Sequence, residues 1–180
     1  MKLMIASDIH GSALYCEALL RAYETEAPAL LLLLGDLLYH GPRNDLPEGY
    51  APKAVAAMLN EHADRVLCVR GNCEAEVDQM MLSFPVLSDS AMLFLDGRRF
   101  FASHGHIYKE TNLPPLRDGD IFLSGHTHVP KISTVNGVLC LNPGSVSIPK
   151  ADTARSYMTY ENGVFLWKTL EGEIYRKHTL

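Results

Sequence analysis

Metal-capable side chains follow short apolar runs at five places along this chain. Each run has the composition of a β-strand and ends just before an aspartate, an asparagine or a histidine. The runs are Leu3–Ala6, Leu30–Leu34, Val66–Val69, Phe100–Ala102 and Ile121–Leu123. In open α/β sheets, ligands bind in a crevice at the carboxyl ends of the strands, so side chains far apart in the sequence can meet there. The pattern predicts an α/β fold with one shared crevice.

The first half of the chain alternates predicted strands and helices. Ser12 is a suitable N-cap for a helix that extends to about Thr25, and Pro52 begins a helix that extends to about Ala63. The run of leucines from Leu30 could also belong to a helix, but its brevity and the flanking Pro28 and Gly35 favour a strand. Alternating strands and helices predict a parallel sheet.

The second half of the chain is dominated by hairpin signals. Asp96-Gly97 and Asn136-Gly137 each separate two strand-like runs, and Glu161-Asn162-Gly163 separates two more. A long Pro- and Gly-rich loop over residues 40–52 is predicted to be functional. Two sheets with helices outside them accommodate both halves, and no linker divides the 180 residues, which predicts a single domain over residues 1–180.

Net charge and cysteine content limit the kinds of binding partner and the cellular compartment that we expect. The net charge of -5 gives no general attraction to nucleic acid or to an anionic membrane, so both are unlikely partners. The amino-terminal residues lack the long apolar run of a secretion signal, and no apolar stretch approaches the length of a membrane span. Without a secretion signal, the four cysteines are expected to be free thiols in a cytoplasmic protein.

The polar residues at the strand ends have the chemistry of a metal site. An aspartate that closes a single strand is often only a turn residue, but three successive strands end in Asp8, Asp36 and Asn72. Six of the eight histidines lie at positions 10, 40, 104, 106, 126 and 128. Several imidazoles with carboxylates and no thiolate ligand suit two borderline divalent metals, which indicates a hydrolase.

The ordered motifs resemble those of the calcineurin-like metallophosphoesterases. They are Asp8-Ile9-His10, Gly35-Asp36, Gly71-Asn72, His104-Gly105-His106 and Gly125-His126-Thr127-His128, and the late Asn142-Pro143-Gly144-Ser145 is also typical. The stretches GDLLYHGPRN, LPEGYAP, RGNCEAEVDQM and NPGSVSIPK are closer still to the bacterial YfcE-type phosphodiesterases. The resemblance implies a four-layer αββα sandwich of two mixed β-sheets flanked by helices.

The resemblance also implies a ligand set for two divalent metals. Asp36 would bridge them, with Asp8, His10 and His128 completing one site and Asn72, His104 and His126 completing the other. Mn²⁺ is the metal expected in this branch, with Fe, Zn, Ni or Co as alternatives. A hydroxide held between two ions about 3.5–4 Å apart would attack a phosphodiester, and Asp36, Asn72 and His104 would act through the metals.

Cys73 departs from the family pattern. Many relatives have a histidine at this position, where it assists the transition state or the leaving group, whereas a thiol is a poorer acid–base group near neutral pH. Cys73 could line the pocket or be a packed thiol. Arg43 and His40 could contact a phosphate or lie in solvent, and His106 could support the metal ligands or stabilise its own turn.

Three functions are compatible with these residues. The leading one is a phosphodiesterase that acts on a small phosphoester, and the second is a phosphatase that acts on a small monoester. The third is a non-catalytic interaction scaffold, as in a retromer subunit of the same fold whose ligand set is altered. All seven predicted ligand positions hold metal-capable residues here, which favours an enzyme. A homo-oligomer is plausible from the resemblance alone.

Overall fold

Eleven β-strands in two sheets and three α-helices make up the protein, whose computed structural model describes residues 1–180. The helices are α1 (Ala13–Glu26), α2 (Pro52–Asn60) and α3 (Glu76–Met81). The strands are β1 (Leu3–Ala6), β2 (Leu30–Leu33), β3 (Val66–Cys68), β4 (Ser90–Leu95), β5 (Arg98–Ser103), β6 (Ile121–Leu123), β7 (Lys131–Val135), β8 (Val138–Asn142), β9 (Ser156–Glu161), β10 (Val164–Thr169) and β11 (Ile174–Thr179).

The first sheet has six strands in the order β11-β10-β9-β1-β2-β3. β1, β2 and β3 are parallel and in step, since Ala6 lies opposite Leu33 and Leu33 lies opposite Cys68. β9, β10 and β11 add antiparallel strands on the other side of β1. The carboxyl ends of the three parallel strands therefore meet at one edge, and the loops that follow them are neighbours.

The second sheet has five strands in the order β4-β5-β6-β8-β7. β5, β6 and β8 are parallel, with Ala102 opposite Leu123 and Leu123 opposite Leu141. The Asp96-Gly97 and Asn136-Gly137 hairpins add β4 and β7 as antiparallel edge strands. Both sheets are mixed, and the loops that follow the parallel strands of each sheet lie at a common edge.

Apolar side chains fill the space between the two sheets and the space behind the first one. Leu32 and Leu34 point into the inter-sheet core with Phe100 and Trp167. Leu31 and Leu33, on the opposite face, belong to a second core to which α1 and α2 contribute. Both faces of β2 are buried, so its sequence has no polar–apolar alternation, as expected for a strand covered on both sides.

A non-helical segment covers the outer face of the second sheet. Phe101, Phe122, Val138 and Cys140 form the small core on that face, and the flanking contacts include Tyr108, Leu113 and Leu116 from the chain between β5 and β6. Two mixed sheets with flanking helices are present, which confirms the predicted fold class, while the helical residues of the core all lie behind the first sheet.

The helices show where the sequence patterns were sufficient. Ser12 caps α1 by accepting a hydrogen bond from the Tyr15 amide at 3.3 Å, as predicted. α2 ends at Asn60 rather than near Ala63, where a 3₁₀ turn follows. α3 was not predicted. None of the three helices has the length and apolarity that a membrane crossing would require.

Candidate metal centre

The loops that follow the parallel strands have a left-handed backbone at most of the predicted ligands. The φ angles are positive at five of them: Asp8 (60°), His10 (49°), Asp36 (56°), His126 (66°) and His128 (61°). For residues with a Cβ atom this conformation costs roughly 1–2 kcal/mol each. Strained backbone of this kind clusters at functional sites, so the turns are evidence for a site here.

Two glycines allow these loops to approach one another. A Cβ atom on Gly71 would lie 2.1 Å from Asp36 Oδ1 and 2.6 Å from the Asp36 backbone nitrogen. A Cβ atom on Gly125 would lie 1.9 Å from Ser7 Oγ and 2.9 Å from Asp8 Oδ2. Both separations are far inside van der Waals contact, so no other residue fits without moving a predicted ligand.

Asp8, His10 and His128 form one half of the site, and all three are buried. His10 Nε2 lies 3.5 Å from Asp8 Oδ1 and 3.3 Å from His128 Nε2, and His128 Nε2 lies 3.3 Å from Asp8 Oδ1. Asp36 Oδ2 lies 3.6 Å from His10 Nε2 on the other side. The polar atoms of these four residues therefore converge on one small volume.

Asp36, Asn72, His104 and His126 form the other half. His104 Nε2 lies 3.4 Å from Asp36 Oδ2, 3.2 Å from Asn72 Oδ1 and 3.2 Å from His126 Nδ1. Asp36 is thus the residue that faces both halves. His104 is buried and His126 half-buried, while Asn72 is exposed at the mouth of the cleft. The structure brings all seven predicted metal ligands together.

Backbone carbonyls determine which ring nitrogen faces the centre. Nδ1 of His10 lies 2.9 Å from the Tyr39 oxygen, Nδ1 of His104 lies 2.6 Å from the Leu34 oxygen, and Nδ1 of His128 lies 2.6 Å from the Ile148 oxygen. A carbonyl oxygen only accepts hydrogen bonds, so Nδ1 carries the proton and donates. In the neutral ring each Nε2 then directs its lone pair to the centre, as in metal-bound histidines, and in the protonated ring the second proton lies there.

This donor set fits divalent cations. Nε2 of His10 and Nε2 of His128 lie 3.3 Å apart, and Asp8 Oδ1 is buried without a hydrogen-bond partner. Converging lone pairs and a buried carboxylate oxygen repel one another unless a positive charge lies among them. Imidazole and carboxylate ligands suit borderline metals.

The titration behaviour of the site reflects the same crowding. Burial raises the pKa of Asp36, but the hydrogen bond to His104 and the charges of His104 and His10 hold that pKa well below its usual range. Burial lowers the pKa of His104, yet its bond to Asp36 and the charge of Asp8 raise it to about 9. Burial and the charge of His104 lower the pKa of His126 to about 4. Asp36 is therefore ionised at neutral pH.

A cleft of about 290 Å³ opens over the predicted ligands. Arg43, from the loop after β2, and Lys150 both line it. His40, from the same loop, packs edge-on against Tyr39 and Tyr50 and does not line the cleft. Two cationic side chains thus border the cleft where an anionic substrate would enter.

Cys73 and His106 both lie beside the ligands. The Cys73 sulfur is within 4.8 Å of ligand atoms of His10 and Asp36, and its backbone N–H donates to Asp36 Oδ1 at 2.9 Å. Burial and the charge of Asp36 raise the pKa of the Cys73 thiol, which is neutral at physiological pH. The His106 ring centre lies 5.4 Å from that of His104, and its buried Nδ1 has no partner.

Sequence reasoning missed two residues of the site. Glu74 accepts hydrogen bonds from the backbone N–H groups of Asp36 (2.9 Å), Leu37 (2.7 Å) and Gly71 (2.5 Å), and so ties the second and third ligand loops together. The sequence feature that could have identified Glu74 is its position two residues after the predicted ligand Asn72. Lys150 follows the Asn142-Pro143-Gly144-Ser145 turn, and the turn itself was noted.

The serines of that turn have a structural role. Ser145 Oγ and Ser147 Oγ donate to the backbone oxygen of Asp8 at 2.9 and 3.1 Å. These bonds hold the strained turn at Asp8, and neither hydroxyl has a histidine partner that would activate it as a nucleophile.

Comparison with known proteins agrees with this geometry. Residues 1–162 match a family model described as the calcineurin-like phosphoesterase superfamily domain. Phosphodiesterase YfcE of Escherichia coli (strain K12) is 48% identical over 164 residues, which cover 91% of this chain and 89% of YfcE. The probable metallophosphoesterase YsnB of Bacillus subtilis is 25% identical over 171 residues, with 90% and 86% covered.

Solved structures give the same result. The structure of YfcE, a phosphoesterase from E. coli, superposes with a TM-score of 0.96 at 44% identity and covers 99% of both chains. Vps29 from Entamoeba histolytica complexed with Zn²⁺ has a TM-score of 0.61 at 18% identity, again over 99% of both chains, and shares the fold alone. This chain belongs to the calcineurin-like phosphoesterase superfamily.

Proposed function

We propose that residues 1–180 form a single metal-dependent phosphodiesterase domain that hydrolyses a small phosphodiester. One observation carries the proposal. Three histidines tethered through Nδ1 to backbone carbonyls direct their Nε2 atoms toward the buried carboxylates Asp8 and Asp36. In their neutral form these imidazoles and the two carboxylates would supply converging ligands for the family's metal-assisted hydrolysis.

The proposed ligands divide between two cations, Mn²⁺ in the first instance. Asp8, His10 and His128 would hold one, Asn72, His104 and His126 would hold the other, and both would share Asp36, whose Oδ2 faces His10 and His104. Bound there, the metals would supply a water of lowered pKa and positive charge opposite the phosphoryl oxygens. Fe, Zn, Ni and Co are the alternatives that a metal analysis would separate.

The surrounding residues position the substrate and the ligands. The guanidinium of Arg43 and the ammonium of Lys150 border the cleft and would orient the phosphate by charge. Glu74 keeps Asp36 facing both halves through its bond to the Asp36 backbone N–H. His106 packs close to His104 but does not line the cleft, so its role would be to support that ligand.

None of the thiol and hydroxyl groups near the cleft has a base that would activate it to attack phosphorus. The Thr127 hydroxyl, which lines the cleft, accepts hydrogen bonds from Asn142 and the Val129 N–H. The only thiol beside the cleft is that of Cys73, and its raised pKa keeps it protonated. The hydroxyls of Ser145 and Ser147 donate to the Asp8 backbone. Attack on phosphorus by activated water agrees with the state of these thiol and hydroxyl groups.

Diesters are the proposed substrates for two reasons. YfcE, named a phosphodiesterase, is 48% identical over most of both chains. Cys73 stands where many relatives have histidine, so this site lacks a group that would help expel a poor leaving group. A scaffold without catalysis is the second candidate, since Vps29 shares the fold, but the complete and strained ligand set favours catalysis.

Hydrolysis of bis-p-nitrophenyl phosphate and of p-nitrophenyl phosphate with added Mn²⁺ tests the proposal. We expect faster cleavage of the diester and a loss on the order of a thousandfold in kcat for Asp36→Asn, because both metals would lose a shared ligand. Asp64→Asn, at an aspartate that is 79% exposed and remote from the cleft, is the matched control. Faster monoester cleavage would contradict the diester assignment, and inactivity of the metal-loaded wild type would favour a scaffold.

A further inference from the structure

A second cavity opens beside the metal cleft and shares a wall with it. It has a volume of about 420 Å³, and most of its lining is apolar. Cys73 lines both cavities, so they are adjacent at this residue. We call this cavity the side pocket and define it by Leu38, Tyr39, Tyr50, Cys73, Val77 and Met81.

The side pocket has unusually exposed apolar walls. Val77 is 62% exposed and Met81 43% exposed, both on α3, and Tyr39 is 41% exposed on the opposite loop. Large apolar side chains grouped around a concavity, rather than scattered singly, are typical of binding sites. α3 thus contributes apolar side chains to the pocket, and no other part of the chain covers these side chains.

The aromatic wall is held in place by its own contacts. The His40 ring packs edge-on against Tyr39 at a ring-centre distance of 4.7 Å and against Tyr50 at 5.4 Å. Aromatic rings arranged in this way present edges and faces to a further ring at favourable angles. The two tyrosines and the apolar α3 side chains therefore give the pocket a lining suited to an aromatic ring.

Backbone contacts fix the distance between the side pocket and the metal ligands. The Tyr39 carbonyl accepts the hydrogen bond from His10 Nδ1 at 2.9 Å, and the Cys73 N–H donates to Asp36 Oδ1 at 2.9 Å. The pocket walls therefore lie on the same rigid loops as two of the ligands. A phosphate in the cleft would place one of its ester substituents at the entrance by Cys73.

From this adjacency we infer that the side pocket binds an aromatic ester group of the substrate, so that the protein prefers phosphodiesters with at least one aromatic substituent. The inference rests on the proposed function, because it places the phosphorus in the metal cleft. Its specificity residues are Tyr39, Tyr50, Val77 and Met81, which would contact the aromatic ring and none of which is a proposed metal ligand.

Calorimetric binding of phenylphosphonate and methylphosphonate to the Mn²⁺-loaded protein tests the inference without requiring turnover. Both probes present the same phosphonate to the metals, and only one has a ring. We expect the wild type to bind phenylphosphonate about tenfold more tightly, from burial of part of one ring. In Val77→Asn and in Met81→Gln that preference should fall to less than threefold, since a polar group would face the ring. Glu76→Gln, on α3 at an exposed residue outside the pocket, should keep it.

A second measurement locates the ring. In the diamagnetic Zn²⁺-loaded protein, the Met81 methyl resonance should shift with phenylphosphonate and not with methylphosphonate. Equal affinity of the wild type for both probes, or a full preference in both pocket variants, would overturn the inference. Ring-dependent binding in a protein that cleaves no phosphodiester would instead refute the proposed function and leave the aromatic pocket standing.

Discussion

Removing the carboxylate of Glu74 should weaken both the fold and the metal site. The carboxylate accepts three backbone N–H groups, from Asp36, Leu37 and Gly71, at 2.5–2.9 Å. Asp36 and Leu37 are 2% and 0% exposed, so water cannot easily replace the lost acceptor at those two amides. Hydrogen bonds to a charged acceptor are worth about 1.5–3 kcal/mol each. With some relaxation of the half-buried loop, Glu74→Ala should lower the free energy of unfolding by about 3–5 kcal/mol.

That loss is large beside the 5–15 kcal/mol typical of native domains. In a chain of this size each kcal/mol shifts Tm by about 2–4 °C, so we expect a decrease of roughly 10 °C in thermal unfolding. Metal affinity should fall about 10–100-fold, because Glu74 orients the proposed ligand Asp36 without being a ligand itself. Glu74→Gln retains one acceptor oxygen, so its stability and metal affinity should lie between those of the wild type and of Glu74→Ala.

Glu76→Ala is the matched control, since Glu76 is exposed two residues further along. Thermal unfolding of the metal-free proteins separates the effect on the fold from the effect on the metal, and calorimetric Mn²⁺ titration then measures the affinity. If Glu74→Ala and Glu76→Ala had the same Tm and the same Mn²⁺ affinity, the assignment of Glu74 as the tie between the two ligand loops would be refuted.

Three further perturbations test other parts of the structure. Removal of metal with a chelator should lower Tm relative to protein in Mn²⁺ at a hundred times its dissociation constant, by an amount that corresponds to about 2.7 kcal/mol; an unchanged scanning-calorimetry trace would contradict metal binding to the folded state. Gly71→Ala should abolish Mn²⁺ binding in a calorimetric titration because its Cβ would lie 2.1 Å from Asp36 Oδ1. Gly97→Ala has open space around its Cβ, so it should bind Mn²⁺ normally, although its φ of 75° should cost about 1 kcal/mol of stability; equal binding by both variants would show that the loops can separate. Glu26→Gln should destabilise the protein by roughly 3 kcal/mol at pH 7, as measured by urea unfolding, because a nearly buried carboxylate (8% exposed side chain) pairs with Lys2 and Lys168.

The same Glu26 substitution has a defined pH dependence. Burial raises the pKa of Glu26, but its hydrogen bonds with Lys168, Lys2 and Tyr157 lower it below the usual 4.5. A carboxyl whose pKa is lower in the folded state stabilises the fold above its unfolded pKa, and that contribution disappears as the pH falls through the folded pKa. The stability difference between wild type and Glu26→Gln should therefore shrink below about pH 4.5. A difference that stayed constant to pH 3 would contradict the paired-carboxylate assignment.

Much of the architecture was predictable because the strands are short, apolar and bounded by turn residues. The Asp96-Gly97 and Asn136-Gly137 hairpins formed where the dipeptides placed them. The leucine run was ambiguous since both faces of β2 are buried, which removes the alternation that marks a half-exposed strand. α3 left no pattern because Val77 and Met80 face outward, so its helix has no apolar stripe directed to the core.

The candidate site was predictable in composition and not in detail. The order of Asp, Asn and His residues at strand ends identified the ligands, since parallel strands bring their carboxyl ends together. No local pattern indicated the left-handed turns at Asp8, His10 and Asp36, or the backbone carbonyls that orient each imidazole. Glu74 and the side pocket were missed for a related reason: both depend on how two loops pack, which no local pattern encodes.

The central claim is that the converging histidines and carboxylates hold two metal ions that share Asp36. Anomalous diffraction from crystals grown with Mn²⁺, collected on both sides of the manganese absorption edge, measures this directly. We expect two manganese peaks on either side of Asp36, one bordered by Asp8, His10 and His128 and the other by Asn72, His104 and His126. An empty cluster in Mn²⁺-saturated crystals, or a single peak that Asp36 does not contact, would contradict the claim.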